Sequence, residues 1–357
     1  MPNGSRSVSP VAAGPERIFG DLREVAARVR AELEAEIAES VLDPPADASP
    51  AAEISRFARE ERARVLEAGV SGLEKLAGHR EDELREDEAF GVGAIVLLEG
   101  RPAILVQRQD FAVQRDEWSV LEPQRPAIRE SLARVGRVEV TGHPSLDWIG
   151  TAFLVGPRTV MTTRHVAAEF SRFEDERWSL EFGMSARVDP AEEPTVDGEP
   201  GGPAVPYTIT DVIGVHPDVD LALLRVEPAT DASLPTPLAV AADAPADLPG
   251  RPVYVIGYPA WDGRRDEPES MRRLFMDVYG VKRLQPGTAT AFVPDGLVMG
   301  HDCSTLGDNG GAPVLDLADH RVLGLHFGGR YGTGNVAVPL WELEDDPLLE
   351  KAEVNWV

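Results

Sequence analysis

The chain lacks the features of disulfide-stabilised and membrane-spanning proteins. Its 357 residues contain one cysteine, Cys303, which cannot form an internal disulfide. The longest apolar runs, such as AIVLL at 94–98, are far shorter than the ~20 residues that a helix needs to cross a bilayer. The first ten residues hold no apolar segment of the kind found in a secretory signal. These features predict a cytoplasmic protein with no membrane-spanning helix.

Positive charge is scarce as well. Lys and Arg number 35 against 61 Asp and Glu, which gives a formal net charge of −26. This balance argues against a nucleic-acid partner, because binding to a phosphate backbone needs clustered basic side chains. The seven histidines show no metal-ligand spacing, and the glycines form no phosphate-binding loop. We therefore predict no metal site and no cofactor.

Apolar residues at spacings of three and four predict two helices, over residues 15–42 and 51–76, with a proline-rich break between them. Residues 1–14 are polar and are predicted to be flexible. The two helices form a predicted hairpin. Two alternatives stay open: the hairpin packs on the rest of the protein, or it docks a regulatory protein.

The next segments complete a predicted N-terminal region of residues 15–134. Alternating, β-branched residues over 90–113 predict a β-hairpin with its turn at 99–102. Residues 123–134 are typical of a short helix. The last residues, 346–357, are predicted to be a C-terminal tail.

From residue 135 onward the pattern is all-β. Twelve short runs with turn signals between them predict two β-barrels of about 100 residues each over 135–345. The predicted fold class is therefore mainly β, a double six-stranded β-barrel with an N-terminal α-helical and β-hairpin region. The predicted strands are 137–141, 151–155, 159–163, 178–182, 208–215, 221–226, 252–257, 276–281, 289–292, 312–315, 322–326 and 335–338.

Three segments in the β region carry residues suited to acyl transfer. GTAFLVG at 150–156 is followed by TVMTTRHVAA at 159–168, which contains His165. DLALLR at 220–225 begins with Asp220, and STLGDNGGAPV at 304–314 is a glycine-rich turn. A neutral imidazole can take a proton from a hydroxyl, and a buried carboxylate can fix its tautomer and stabilise the imidazolium that forms. A tight glycine-rich turn can direct backbone N–H groups at a developing oxyanion.

In this order the segments resemble the motifs "LTNHHV", "DLALL" and "GNSGSPV" of trypsin-like serine proteases with a double β-barrel. The resemblance covers roughly residues 135–345 and implies that His165 is the base and Asp220 its orienter, with Asp218 as the alternative. It also implies an oxyanion hole at Asp308 and Gly310, and a protein or peptide substrate.

The third motif departs from the family at the nucleophile. The alignment places Gly310 where the serine belongs, and a slip of one residue places Asn309 there instead. Ser304, Thr305 and Cys303 lie too far upstream to substitute. The chain is therefore predicted to be inactive. Two explanations stay open, a natural pseudoprotease that uses the cleft between the barrels as a protein-binding module, and an engineered Ser→Gly change.

The strand after this turn bears on specificity. VLGLHFGG at 322–329 resembles the "GIHWGG" strand of bacterial glutamyl endopeptidases. This implies that Thr305, His326, Phe327 and Gly328 bind an acidic substrate side chain; the alternative is that His326 is only a strand residue lining the cleft. We expect a regulated protease, or its silenced form, that acts on one or a few protein substrates inside a bacterial cell.

Overall fold

The fold consists of two compact units, one helical and one built of β-barrels. The computed structural model describes residues 21–42, 50–95, 100–114, 116–174, 176–193, 205–229, 233–259, 280–293, 297–305, 309–330 and 334–357. Among these residues, the first unit holds those up to 102 and the second holds those from 103 onward. No helix in this described part is long and apolar enough to span a bilayer.

Both predicted N-terminal helices are present in the helical unit. They are α1, Leu22–Leu42, and α2, Pro50–Ala77. The apolar stripe of α1 is buried from Leu22 to Leu33, and so is the C-terminal half of the stripe on α2. The predicted flexible residues 1–14, the start of the first helix at 15–20 and the proline-rich break at 43–49 lie outside the described residues.

The predicted β-hairpin over 90–113 is wrong in its first half. Residues Glu86–Ile95 form a helix, α3, which packs against α2. Residues 96–99, which include the first residue of the expected turn at 99–102, lie outside the described range. The hairpin itself is shorter, with β1 at Ile104–Gln107 and β2 at Asp110–Phe111. A short apolar run fits a buried helix as well as a strand, so periodicity alone did not distinguish them.

The first barrel is a closed six-stranded antiparallel sheet. Its strand order is β10-β5-β4-β3-β8-β9, and the short helix α5, Arg164–Ala168, follows β5 directly. A separate hairpin, β6–β7, follows that helix. The strands are β3 Val135–Thr141, β4 Trp148–Gly156, β5 Thr159–Thr162, β6 Ser171–Glu174, β7 Arg177–Leu180, β8 Ser185–Asp189, β9 Tyr207–Val215 and β10 Ala222–Pro228.

The second barrel closes through the pairing of its first two strands. The order β11-β14-β15-β16-β13-β12 returns to β11, and β1 and β2 extend the sheet beyond β12. The strands are β11 Pro252–Gly257, β12 Arg283–Val293, β13 Val298–His301, β14 Pro313–Asp316, β15 Val322–Arg330 and β16 Gly334–Pro339. The predicted fold class, mainly β with two six-stranded barrels, is confirmed.

The strand assignments differ from the prediction in a few places. The predicted strand at 276–281 lies largely outside the described residues, and its last two residues are not in a strand. The predicted strand at 289–292 is instead the end of the eleven-residue β12. Sequence reasoning missed β6, β8 and β13, which are short and have few apolar residues.

The barrel unit extends past both of its predicted boundaries. The predicted helix at 123–134 is present as α4, Arg125–Leu132, and its Ile128 and Leu132 are fully buried in the main barrel core. The C-terminal residues form α6, Pro347–Lys351, whose Leu349 lies in the same core. Residues 103–134 and 346–357 therefore pack with the barrels and are neither part of an N-terminal region nor a loose tail.

Candidate active site

His165 is presented by the turn between β5 and α5. Thr163 is the residue directly before the helix, and its backbone is still extended. The strand therefore passes into the helix at Arg164. Val166 and Ala167 on the same turn are buried, so they anchor the short helix to the first barrel. The side chain of His165 faces outward and is 53% exposed.

Asp220 meets His165 from the turn between β9 and β10. Its Oδ2 lies 2.7 Å from Nδ1 of His165, and its Oδ1 accepts the main-chain N–H of His165 at 3.1 Å. Partial burial raises the pKa of Asp220, but the hydrogen bond and charge of His165 and the main-chain N–H groups of His165 and Arg164 outweigh it. The net pKa is below its ordinary value. Asp218 donates its main-chain N–H to Nδ1 of His216 at 3.1 Å. Of the two candidate residues, the one whose carboxylate contacts the imidazole is Asp220.

Gly310 lies directly against the other nitrogen of this imidazole. A Cβ added to Gly310 would be 2.6 Å from Nε2 of His165, closer than real contacts allow. The hydroxyl oxygen of Thr163, Oγ1, lies 3.4 Å from this nitrogen. Sequence reasoning missed Thr163, since nothing but its position two residues before His165 distinguishes it.

The turn that carries Gly310 is tied to both barrels. The carbonyl oxygen of Gly310 accepts the N–H of Thr151 on β4, and the N–H of Gly311 donates to the carbonyl of His326 on β15, both at 2.9 Å. Asn309 is buried and donates from Nδ2 to Gln285 at 2.9 Å. Asp308, the other predicted oxyanion residue, lies outside the described residues.

His326 is buried beside a second histidine that the sequence did not single out for this role. Nε2 of His301 lies 3.0 Å from Nδ1 of His326. Burial lowers the pKa of His301 to about 3 and that of His326 well below its ordinary value, so both rings are neutral near pH 7. Thr305 has a buried Oγ1 with no hydrogen-bond partner in the described part of the chain.

For the other two predicted substrate-binding residues, Phe327 and Gly328, the structure gives weaker indications of a role in substrate binding. Phe327 packs against the main hydrophobic core. At Gly328, an added Cβ would meet only Val336, at 3.9 Å, so the space there is open. A substrate-binding role for these two residues stays a prediction.

One group of acidic side chains lies outside this site. Oxygens of Glu139, Asp189 and Glu192 lie within 4.8 Å of one another. Arg137 forms ion pairs with Glu139 and Glu192, and Arg187 forms ion pairs with Glu139 and Asp189. The arginines balance most of this negative charge, and the group is an ion-pair network of the first barrel.

Comparisons with known proteins find one family model, one curated protein and several solved structures that are similar to this chain. Residues 150–325 match the trypsin-like peptidase domain family. A protein of Lysobacter enzymogenes, named a probable serine protease, is 27% identical over an alignment of 312 residues, and the match covers 78% of this chain and 80% of that protein. Among solved structures, the active form of the Rv3671c protease of M. tuberculosis is 19% identical, covers 71% of this chain and 91% of that one, and has a TM-score of 0.44. The serine endoprotease from Yersinia pestis is 14% identical over 63% of this chain and 65% of that one, with a TM-score of 0.42.

Proposed function

We propose that this chain, which carries a trypsin-like serine protease scaffold, is a serine endopeptidase lacking its nucleophile, so that it binds a peptide segment without cutting it. The supporting observation is the pair of His165 and Asp220, with Nε2 of His165 facing residue 310. In this chemistry the imidazole takes the proton of a serine hydroxyl while that oxygen attacks the peptide carbonyl. Gly310 has no hydroxyl, and loss of the nucleophile costs on the order of 10⁶ in turnover.

The test is to supply the missing hydroxyl. We expect Gly310→Ser to produce turnover of a fluorogenic peptide library that the parent chain does not cleave. A side chain at 310 needs the ring of His165 to shift, because its Nε2 would otherwise lie 2.6 Å from the added Cβ, and the half-exposed ring has room to do so. Gly310→Ala is the matched control, since it adds the same Cβ without the hydroxyl, and His165→Ala in the serine background should abolish the new activity.

A second candidate function is a non-catalytic protein-binding module. It is favoured by the close approach of His165 to Gly310, because the imidazole occupies space that a serine side chain would need. This candidate predicts that a partner is retained on pull-down and left uncut whichever residue occupies position 310. A folded Gly310→Ser protein that cleaves no peptide would support the module and contradict the endopeptidase.

We also propose that the substrate side chain before the scissile bond is acidic. His301 and His326 share one N–H between their facing nitrogens, and Nδ1 of His301 has no partner among the described residues. A buried unpaired N–H is less tolerable than an unpaired acceptor. The proton of His301 is therefore assigned to Nε2, which donates to His326 and leaves Nε2–H of His326 as a donor. That N–H and the unpartnered hydroxyl of Thr305 suit a carboxylate.

A peptide series in the Gly310→Ser background tests this specificity. Peptides that differ only by Glu, Gln or Lys at the position before the cleaved bond should be cleaved in that order of preference. Thr305→Val, which keeps the shape and removes the hydroxyl, should reduce the preference for Glu over Gln by about tenfold, the value of one lost hydrogen bond to a charged group. Equal rates for Glu and Lys peptides would exclude a pocket that selects an acidic substrate side chain.

We propose an intracellular role as a regulated protease, or its silenced form, with α1 and α2 recruiting a protein partner. The chain has a single cysteine, Cys303, which cannot form an internal disulfide, and this fits a reducing compartment.

A further inference from the structure

Arg164, the residue before the base, makes an unusual set of contacts. It is half-buried, and its Nη2 donates to the main-chain carbonyls of His216, at 2.6 Å, and of Val219. It forms no ion pair with a carboxylate within the described ranges. A guanidinium that binds main-chain carbonyls is tied to the path of the backbone, whereas a surface ion pair has several equivalent geometries.

The segment that Arg164 binds is the turn between β9 and β10, residues 216–221, which carries Asp220. His216 organises this turn from inside, because its Nδ1 accepts the main-chain N–H groups of Asp218 and Val219, both at 3.1 Å. The N–H of His216 donates to the carbonyl of Leu221 at 2.9 Å. The turn is therefore a preformed unit, and any shift of its backbone moves Asp220.

The same two segments are also joined in the opposite direction. The carboxylate of Asp220 accepts the main-chain N–H groups of Arg164 and His165 at the first turn of α5. A side chain of each segment therefore binds the backbone of the other. Two attachments fix both the distance and the rotation of the turn, whereas the carboxylate alone leaves rotation free.

We propose that Arg164 is a positioning residue that holds the 216–221 turn so that the carboxylate of Asp220 meets Nδ1 of His165. The inference rests on the proposed function only in taking His165 as the base. Without the guanidinium, the turn keeps its internal bonds but loses its second attachment to α5. Asp220 then spends part of its time away from His165, and the imidazolium is less stabilised.

The experiment measures the coupling between His165 and Asp220 in the full chain with Gly310 in place. The hydrogen bond between Nδ1 of His165 and the carboxylate of Asp220 is read by NMR from the chemical shift of the Nδ1 proton in four proteins: the parent, Asp220→Asn, Arg164→Met and the double variant. In the parent, Asp220→Asn should move this signal upfield, because an amide oxygen is a weaker acceptor than a carboxylate. In the Arg164→Met background the same change should move the signal by less than half as much.

This comparison separates position from charge. The positive charge of Arg164 is missing from both members of the second pair, so its direct effect on His165 cancels. Arg158→Met is the matched control, because it removes an exposed positive charge from the same barrel without touching the 216–221 turn, and it should leave the coupling unchanged.

Each outcome of this experiment either supports or overturns the positioning role of Arg164. Equal coupling with and without Arg164 would overturn the proposal. If Arg164→Met fails to fold, Arg164→Lys keeps the charge and loses the planar guanidinium, and it should show intermediate coupling; full coupling in a folded Arg164→Lys protein would also count against the proposal. No step needs turnover, so an inert Gly310→Ser protein sinks the endopeptidase proposal alone, and equal coupling sinks the positioning role alone.

Discussion

At the scale of single residues, two adjacent glycines in the nucleophile turn have opposite reasons for being glycine. Gly311 has a φ of +92°, and an added Cβ would lie 1.9 Å from the carbonyl oxygen of Thr151. Gly310 lacks such a positive φ, and its nearest obstacle is the end of the His165 side chain. The backbone therefore requires glycine at 311. At 310 the backbone would accept another residue, and its side chain would fit once the ring of His165 had shifted.

Gly311→Ala is expected to destabilise the protein strongly. The left-handed conformation costs a non-glycine residue about 1–2 kcal/mol. Overlap with the main chain of Thr151 adds a further 1–3 kcal/mol or so. Gly183→Ala is the matched control, because Gly183 has a φ of +84° with nothing within 4 Å of the added Cβ. Urea unfolding should show a clearly larger loss at 311, and equal losses would contradict the clash.

The buried histidine pair predicts acid sensitivity. The pKa of His301 is lowered from 6.5 to about 3 because burial disfavours its charged form. Above pH 6.5 the His301 ring is neutral in both the folded and the unfolded protein. Below pH 6.5 the unfolded chain binds a proton at this ring, and the folded protein does not. Stability is therefore lost as the pH falls from about 6.5 toward 3, by about 1.4 kcal/mol per pH unit for this group.

His301→Gln tests this linkage. Urea unfolding at several values between pH 4 and pH 8 should give a shallower loss of stability below pH 6.5 for the variant than for the parent. Between pH 7 and pH 8 the two stability curves should run parallel. Identical slopes below pH 6.5 would mean that His301 is protonated in the folded state.

At the scale of elements, the contact between α2 and α3 shows why residues 86–95 are helical. An added Cβ at Gly91 of α3 would be 2.3 Å from the nitrogen of Gly69 on α2, so the two helices approach with their backbones nearly in contact. The carboxylate of Glu88 on α3 pairs with Lys75 of α2 at 2.6 Å. The hydrogen bond from Lys75, with that from the main chain of Arg85, lowers the pKa of Glu88 to about 2. These contacts favour a helix over the strand that the apolar run also permits.

Gly91→Ala should separate the two helices. The added methyl group meets main-chain atoms of Gly69 that cannot rotate away, so we expect a loss of about 1–3 kcal/mol in the stability of the helical unit. Gly78→Ala is the control, because its Cβ would first meet the flexible end of Arg80 at 3.2 Å. Thermal unfolding followed by the helical circular dichroism signal measures both, and an unchanged transition in Gly91→Ala would contradict the close crossing.

At the scale of the whole molecule, the barrel unit is defined by its core and not by its catalytic motifs. Ile128 and Leu132 before the first barrel strand, and Leu349 after the last, are fully buried with residues of both barrels. A fully buried side chain of this size contributes roughly 1.5–3 kcal/mol. A fragment that stops at the predicted boundaries 135 and 345 loses all three.

Two fragments test this definition. Residues 103–357 should be monodisperse and unfold in one cooperative transition, whereas residues 135–345 should aggregate or melt at a much lower temperature. Size-exclusion chromatography and calorimetry measure both properties. Equal stability of the two fragments would show that α4 and α6 are accessory.

The longer fragment also tests the recruiting role of the helices. In the Gly310→Ser background, residues 103–357 should cleave short peptides at the rate of the full chain, because every described site residue lies within it. Its choice among protein substrates should change if α1 and α2 recruit a partner. Unchanged cleavage of both short peptides and protein substrates would assign the helical unit a structural role.

The sequence by itself determined the barrel class and predicted the residues of the candidate site. His165, Asp220 and the glycine-rich turn are predicted from short segments, because the proposed base, its orienter and the oxyanion turn each demand particular residue types in a short stretch of chain. The alternation of apolar residues likewise predicts strands, since each strand exposes one face to a core. The two N-terminal helices followed from the same local reasoning.

Only the tertiary structure decided what depends on partners distant in the chain. The helical state of residues 86–95 depends on α2, and the extent of the barrel unit depends on a core shared by residues more than 200 positions apart, such as Ile128 and Leu349. The pairing of His301 with His326, and the reach of Arg164 to the Asp220 turn, are set by strand register and by loop path. No local pattern encodes such contacts, because each side chain is ordinary in its own segment and acquires its role from the segment packed against it.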